Sequence, residues 1–101
     1  MLSAHQIAQY HETGFLVVPR VLSASEVAGL CAATDALVAR SAAVQDHDAM
    51  FDLEPGHSAA APRVRRIKNP DLWDPAFAAV PRHPRILACL QQLWGGRGVR
   101  Y

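Results

Sequence analysis

The sequence lacks any apolar run near the roughly 18–20 residues that a membrane-crossing helix needs. Its apolar stretches are short, such as Phe15-Leu16-Val17-Val18 and Ile86-Leu87-Ala88-Cys89-Leu90. The opening Met1-Leu2-Ser3-Ala4-His5-Gln6 has neither a basic start nor an apolar stretch, so no secretory leader is read there. Cysteine is scarce. Cys31 and Cys89 each fall in an apolar helical pattern, which reads as two buried thiols in a reducing cytoplasm rather than a disulfide or metal pair. Charge of one sign is also missing: 10 Lys+Arg against 9 Asp+Glu gives a net charge of +1 and no drive toward nucleic acid. Large apolar side chains are few, because Ala supplies 18 of the hydrophobic residues and only 31 are Val, Ile, Leu, Met, Phe, Trp or Tyr. The low charged fraction still argues against disorder.

Length sets a further limit. A chain of 101 residues is one small domain at most, able to bury about 60–70% of its unfolded surface. A closed barrel or double-sheet roll takes about eight strands of ~5–6 residues. The sequence offers only about four strand-like runs.

Catalytic motifs are missing as well. A facial iron triad needs two His and a carboxylate, usually with a His-x-Asp or His-x-Glu pair. The residues two places after His5, His11, His47, His57 and His83 are Ile7, Thr13, Ala49, Ala59 and Arg85, so no such pair exists. Nor is there Cys-x-x-Cys, His-Glu-x-x-His, Gly-x-Gly-x-x-Gly or Gly-x-Ser-x-Gly. No catalytic residue and no metal ligand is assigned from sequence.

What is present is a series of capped helices and short strands. Ser3 and Gln6 form a capping box ahead of Ile7 and Tyr10, and Gly14 is placed to end that helix. Phe15–Val18, closed by Pro19, reads as a buried strand. Ser23 and Glu26 form a second capping box, and Val27, Leu30, Cys31, Thr34, Leu37 and Val38 make one apolar stripe on a helix from Ser25 to Ala43. Residues 46–62 read as a loop, with a short extended piece at 49–53. Arg63-Val64-Arg65-Arg66-Ile67-Lys68 reads as a basic strand. Strict alternation would put Val64, Arg66 and Lys68 on one face and Arg63, Arg65 and Ile67 on the other. A helical turn or two follows over 71–80. Pro84 then opens a last helix whose buried face is Ile86, Leu87, Leu90, Leu93 and Trp94, stopped by Gly95-Gly96. Residues 97–101 begin an extended segment.

Two local features bear on chemistry. The loop carrying Asp46, His47, Asp48, Asp52, Glu54 and His57 offers ligands for a divalent cation, but without regular spacing it reads first as a solvated loop. The strand Arg63–Lys68 is either a basic edge that discourages sheet aggregation or a surface that takes carboxylate or phosphate.

The order of these motifs resembles the start of the phytanoyl-CoA dioxygenase family. The resemblance rests on Gln6-x-x-x-Tyr10-x-x-x-Gly14-Phe15-Leu16-Val17-Val18-Pro19, Val21-Leu22-Ser23-x-x-Glu26-Val27-x-x-Leu30 and Asp52-Leu53-Glu54-Pro55-Gly56-His57-Ser58. It continues through Pro62–Pro70 and His83-Pro84-Arg85-Ile86-Leu87 to Leu93-Trp94-Gly95-Gly96.

The resemblance implies a double-stranded β-helix (jelly-roll, cupin-like) enzyme using Fe(II) and 2-oxoglutarate to hydroxylate a small or lipid-like substrate. On that footing the fold class is α+β, helices plus a few peripheral strands, with residues 1–101 the N-terminal part of an incomplete domain whose core strands are missing. The family's iron ligands and its distal Arg come after the matched region, so the chain alone is expected to be inactive and to bind neither cofactor. Lys68, the single lysine, falls where family members place a lysine near a 2-oxoglutarate carboxylate, with Arg66 a second candidate. His57 is placed near the substrate entrance. The expected partner is a small molecule, with no nucleic acid and no membrane. The alternatives are a non-catalytic α/β module that binds an anionic partner through Arg63–Lys68, or an inactive remnant.

Overall fold

Ser3 starts the first helix as its sequence dictates. In the computed structural model, which describes residues 1–101, Ser3 Oγ accepts from the Gln6 N–H at 3.1 Å and Gln6 Oε1 accepts from the Ser3 N–H at 2.8 Å. The resulting helix α1 (Ala4–Thr13) ends at Gly14, whose φ of 85° is a left-handed cap. Gly14 N–H donates to Tyr10 O at 2.8 Å. A side chain at that φ is strained, which is why glycine stands there.

The chain is α+β, with four helices and one two-stranded sheet, and no helix is long and apolar enough to cross a membrane. It forms two compact units, residues 1–23 with 80–101, and residues 24–79.

The first unit contains α1 and the C-terminal helix α4 (Pro84–Leu93), which His83 caps by accepting the Arg85 N–H on Nδ1 at 3.2 Å. Leu2 is buried, and its N–H donates to Gln92 Oε1 at 3.0 Å. The face of α4 expected to be buried is only half-covered at Ile86, Leu87, Leu90 and Leu93, and Trp94 is exposed. Phe15–Val18 is not a strand: no sheet partner is present, and Phe15 and Val17 are 63% and 76% exposed. Apolar, β-branched composition alone does not make a strand, which needs a neighbour to accept its hydrogen bonds. No strand forms at 97–101 either.

The second unit starts with α2 (Ala24–Arg40), continued by a 3-10 turn at Ser41–Ala43, so the expected helical extent is close. Its stripe is buried only toward the C-terminal end, at Ala33 and Leu37. Val27 and Cys31 are exposed, which corrects the reading of Cys31 as a buried thiol. Periodicity marks an apolar face but not the neighbour that covers it. Cys89 is half-buried, and both thiols are free.

Two short strands, β1 (Phe51–Leu53) and β2 (Val64–Ile67), pair antiparallel with Phe51 opposite Ile67, Asp52 opposite Arg66 and Leu53 opposite Val64. The register skips Arg65, a β-bulge that overturns the expected strict alternation. Val64 and Ile67, three residues apart, both pack on the core, while Arg65 and Arg66 between them are exposed. The core is Leu37, Met50, Phe51 and Leu53, flanked by Val44, Val64, Ile67, Trp73 and Phe77. The short helix α3 (Pro75–Ala79) supplies Phe77, and Trp73 Nε1 donates to Lys68 O at 2.8 Å, fixing the end of β2.

Candidate anion-binding site

The polar side chains of the loop before and after β1 serve their own backbone. Asp48 Oδ1 accepts from Met50 N–H and Phe51 N–H at 2.8 and 2.7 Å. His47 Nδ1 accepts from Leu53 N–H at 2.9 Å. His57 Nε2 faces Ser41 O at 3.0 Å and Val44 O at 2.9 Å, while its Nδ1 accepts from Arg63 N–H at 2.9 Å. That arrangement requires the hydrogen on Nε2. No three His, Cys, Asp or Glu side chains converge as a metal-binding group would require. The donor set of this chain therefore does not fit an iron ion. His57, expected near a substrate entrance, ties the β1–β2 loop to the segment that follows α2.

A cleft of about 340 Å³ lies beside this loop, lined by Asp46, His47, Glu54, His57 and Arg65 among others. It does not include Lys68 or Arg66. Two of its charged residues neutralise each other, because Arg65 grips Glu54 with Nε at 3.0 Å and Nη2 at 3.3 Å. The Arg65 hydrogen bond holds the Glu54 carboxyl below the usual carboxylate range, and the same pairing raises the Arg65 guanidinium.

The basic strand concentrates charge elsewhere. Asp52, with its side chain 14% exposed, meets Arg66 Nη2 through Oδ2 at 2.6 Å and Lys68 Nζ through Oδ1 at 3.1 Å. Lys68 also donates to the Asp48 carbonyl. Those two contacts leave one ammonium hydrogen of Lys68 without a named acceptor, on a side chain 35% exposed. The Arg66 side chain is 70% exposed, so most of its donor edge faces solvent.

The Asp52 carboxyl is held below its ordinary value, first by the hydrogen bond from Lys68 and then by the charges of Lys68 and Arg66, against the opposing effect of burial. The Arg66 contact is the shorter of the two, yet Lys68 has the larger effect. Its head is less exposed and so less screened by solvent.

The two residues singled out from sequence, Lys68 and Arg66, thus meet on one carboxylate. Arg66 through one nitrogen and Lys68 through its ammonium both meet that carboxylate, which is the chemistry a carboxylate ligand would use. Sequence reasoning missed Asp52 as their partner. The signal was the pairing of acids at Asp52 and Glu54, two residues apart on one hairpin arm, with the basic run on the other arm.

The phytanoyl-CoA dioxygenase family model matches residues 10–101. Ectoine dioxygenases of Bordetella parapertussis and Bordetella bronchiseptica are each 32% identical over 94 residues, which is 93% of this chain and 29% of theirs. The chain therefore spans under a third of the length of these curated relatives. No solved structure matches it significantly.

Proposed function

The chain belongs to the phytanoyl-CoA dioxygenase family, and on that footing we propose that it supplies the N-terminal part of a dioxygenase-like jelly-roll domain acting on a small molecule in the cytoplasm. Lys68 and Arg66 hold one carboxylate of 2-oxoglutarate in that reading. The observation that carries it is the shared carboxylate of Asp52, which both cations already bind in the structure.

When bound in an enzyme of this type, 2-oxoglutarate would supply two electrons to dioxygen, one oxygen atom ending in succinate as carbon dioxide leaves and the other in the hydroxylated substrate. The contribution of this chain is to bind and orient. Lys68 is fixed by Asp48 O and by the anchored end of β2. Arg66 is fixed opposite Asp52 by the strand register. The proposal assigns no iron ligand within this chain, where no three His, Cys, Asp or Glu side chains converge. The isolated 101-residue chain is expected to turn over no substrate, while its cation pair gives it weak affinity for 2-oxoglutarate, a departure from the expectation that the chain alone binds neither cofactor.

Two measurements test the proposal. Incubation of the chain with Fe(II) and 2-oxoglutarate is expected to give no succinate, and iron-dependent succinate formation would overturn the assignment of the ligands. Titration with 2-oxoglutarate, followed by the NMR signals of the Lys68 and Arg66 side chains, is expected to show weak binding that Lys68→Met abolishes. Unchanged binding in Lys68→Met would refute the role given to the cation pair.

A further inference from the structure

The Asp52 carboxylate does more than neutralise its neighbours. It lies at the centre of the proposed anion site, is largely buried, and is paired by register with one cation and by hydrogen bond with the other. Two cations and one fixed anion leave a single net positive charge for an incoming ligand. A site with one surplus charge balances the single negative charge of a carboxylate group. It leaves a compact dianion such as sulfate or phosphate half-uncompensated, and desolvating uncompensated charge is costly.

We infer that Asp52 is a specificity-determining residue, which tunes the Lys68–Arg66 pair to a carboxylate and against compact dianions. The inference rests on the proposed reading of Lys68 and Arg66, and adds to it the reason that a third charged residue sits between them. Asp52 also orients both heads, so its removal changes the charge balance without removing either cation. The remaining charges nearby, Arg63 and Asp48 among them, are the same in every variant and cancel from the comparison. Arg65 is paired with Glu54, and Arg63 Nη1 donates to Pro55 O at 2.9 Å.

The charge balance makes the unmodified 101-residue chain and three variants informative, each titrated at constant ionic strength with 2-oxoglutarate and with sulfate. Sulfate keeps its double charge across the usable pH range. The unmodified chain is expected to bind 2-oxoglutarate more tightly than sulfate. Asp52→Asn leaves two surplus charges and is expected to raise sulfate affinity at least tenfold, reversing that order. Arg66→Gln leaves none and is expected to lose both ligands. The double variant Asp52→Asn with Arg66→Gln returns to one surplus charge and is expected to regain the original order.

A cooperative melt for each variant shows that the fold is retained. If Asp52→Asn keeps the original order, or if the double variant binds nothing while Asp52→Asn binds well, the charge-balance inference is wrong. The function proposed above survives both of those results. If the unmodified chain binds neither anion, that proposal fails, and this inference with it.

Discussion

Replacing His57 by Ala removes the one side chain that joins three backbone groups from separate parts of the second unit. Its Nε2–H serves Ser41 O at 3.0 Å and Val44 O at 2.9 Å, and its Nδ1 receives Arg63 N–H at 2.9 Å. The three groups differ in what water can do for them. Ser41 is fully buried, Val44 is half-buried and Arg63 is exposed. Water re-satisfies Arg63 N–H and partly Val44 O, while the buried Ser41 carbonyl keeps the Val44 N–H at 3.0 Å and loses only its second donor, at a cost of about 0.5–1.5 kcal/mol. A loss of about 1 kcal/mol is expected, which for a chain of this size is a fall of about 4–8 °C in Tm.

Thermal unfolding followed by circular dichroism measures it, with two further substitutions as internal controls. Gln places an amide N–H near the position of Nε2 and keeps the donor to the buried carbonyl. Asn places an oxygen near Nδ1 and keeps only the acceptor for the exposed N–H. Gln is therefore expected to retain most of the stability and Asn little of it. A loss under about 0.5 kcal/mol for His57→Ala, the range of an ordinary surface substitution, would refute the reasoning. So would Asn outperforming Gln.

Acid is expected to loosen the hairpin. The folded-state carboxyls of Asp52 and Glu54 are depressed by Lys68 and Arg65 respectively. Their stabilisation is therefore present above the unfolded carboxylate range near pH ~4 and is lost as pH falls through the lower folded values. Denaturant titrations at a series of pH values should show this decline, with a shallower slope in Asp52→Asn, and an equal slope in that variant would count against it. Deleting one of the adjacent Arg65 and Arg66 is expected to leave a regular two-stranded ladder, with Val64 and Ile67 two places apart and both still inward. Cross-strand contacts between Leu53 and Val64 in NMR spectra would report it, and loss of cooperative unfolding would contradict it.

The bulge at Arg65 also shows where sequence reading reaches its limit. The capping box at Ser3 and the left-handed Gly14 were legible because their causes are local. A hydroxyl three residues before an amide, and a residue without a Cβ, act at the same position in any surroundings. The long helix through Leu37 and the Pro84 start of the last helix were legible for the same reason. Burial was not. Cys31 and Leu37 carry the same periodic signal, yet only Leu37 meets the core formed by Met50, Phe51 and Leu53.

The strand Phe15–Val18 failed as a prediction for a related reason. β-Propensity records fitness for a pleated surface that another segment must supply, and none pairs with it here. The basic strand lies between these cases. Its residues were identifiable from composition, but strict alternation would have put Val64 and Ile67 on opposite faces. Core packing needed both inside, and the structure meets that need by skipping Arg65. The skip brings Arg66 opposite Asp52, while Arg65 pairs with Glu54. A packing demand made by two aliphatic side chains thereby decides which of two adjacent, chemically identical arginines joins Lys68 on Asp52 and which is neutralised at Glu54.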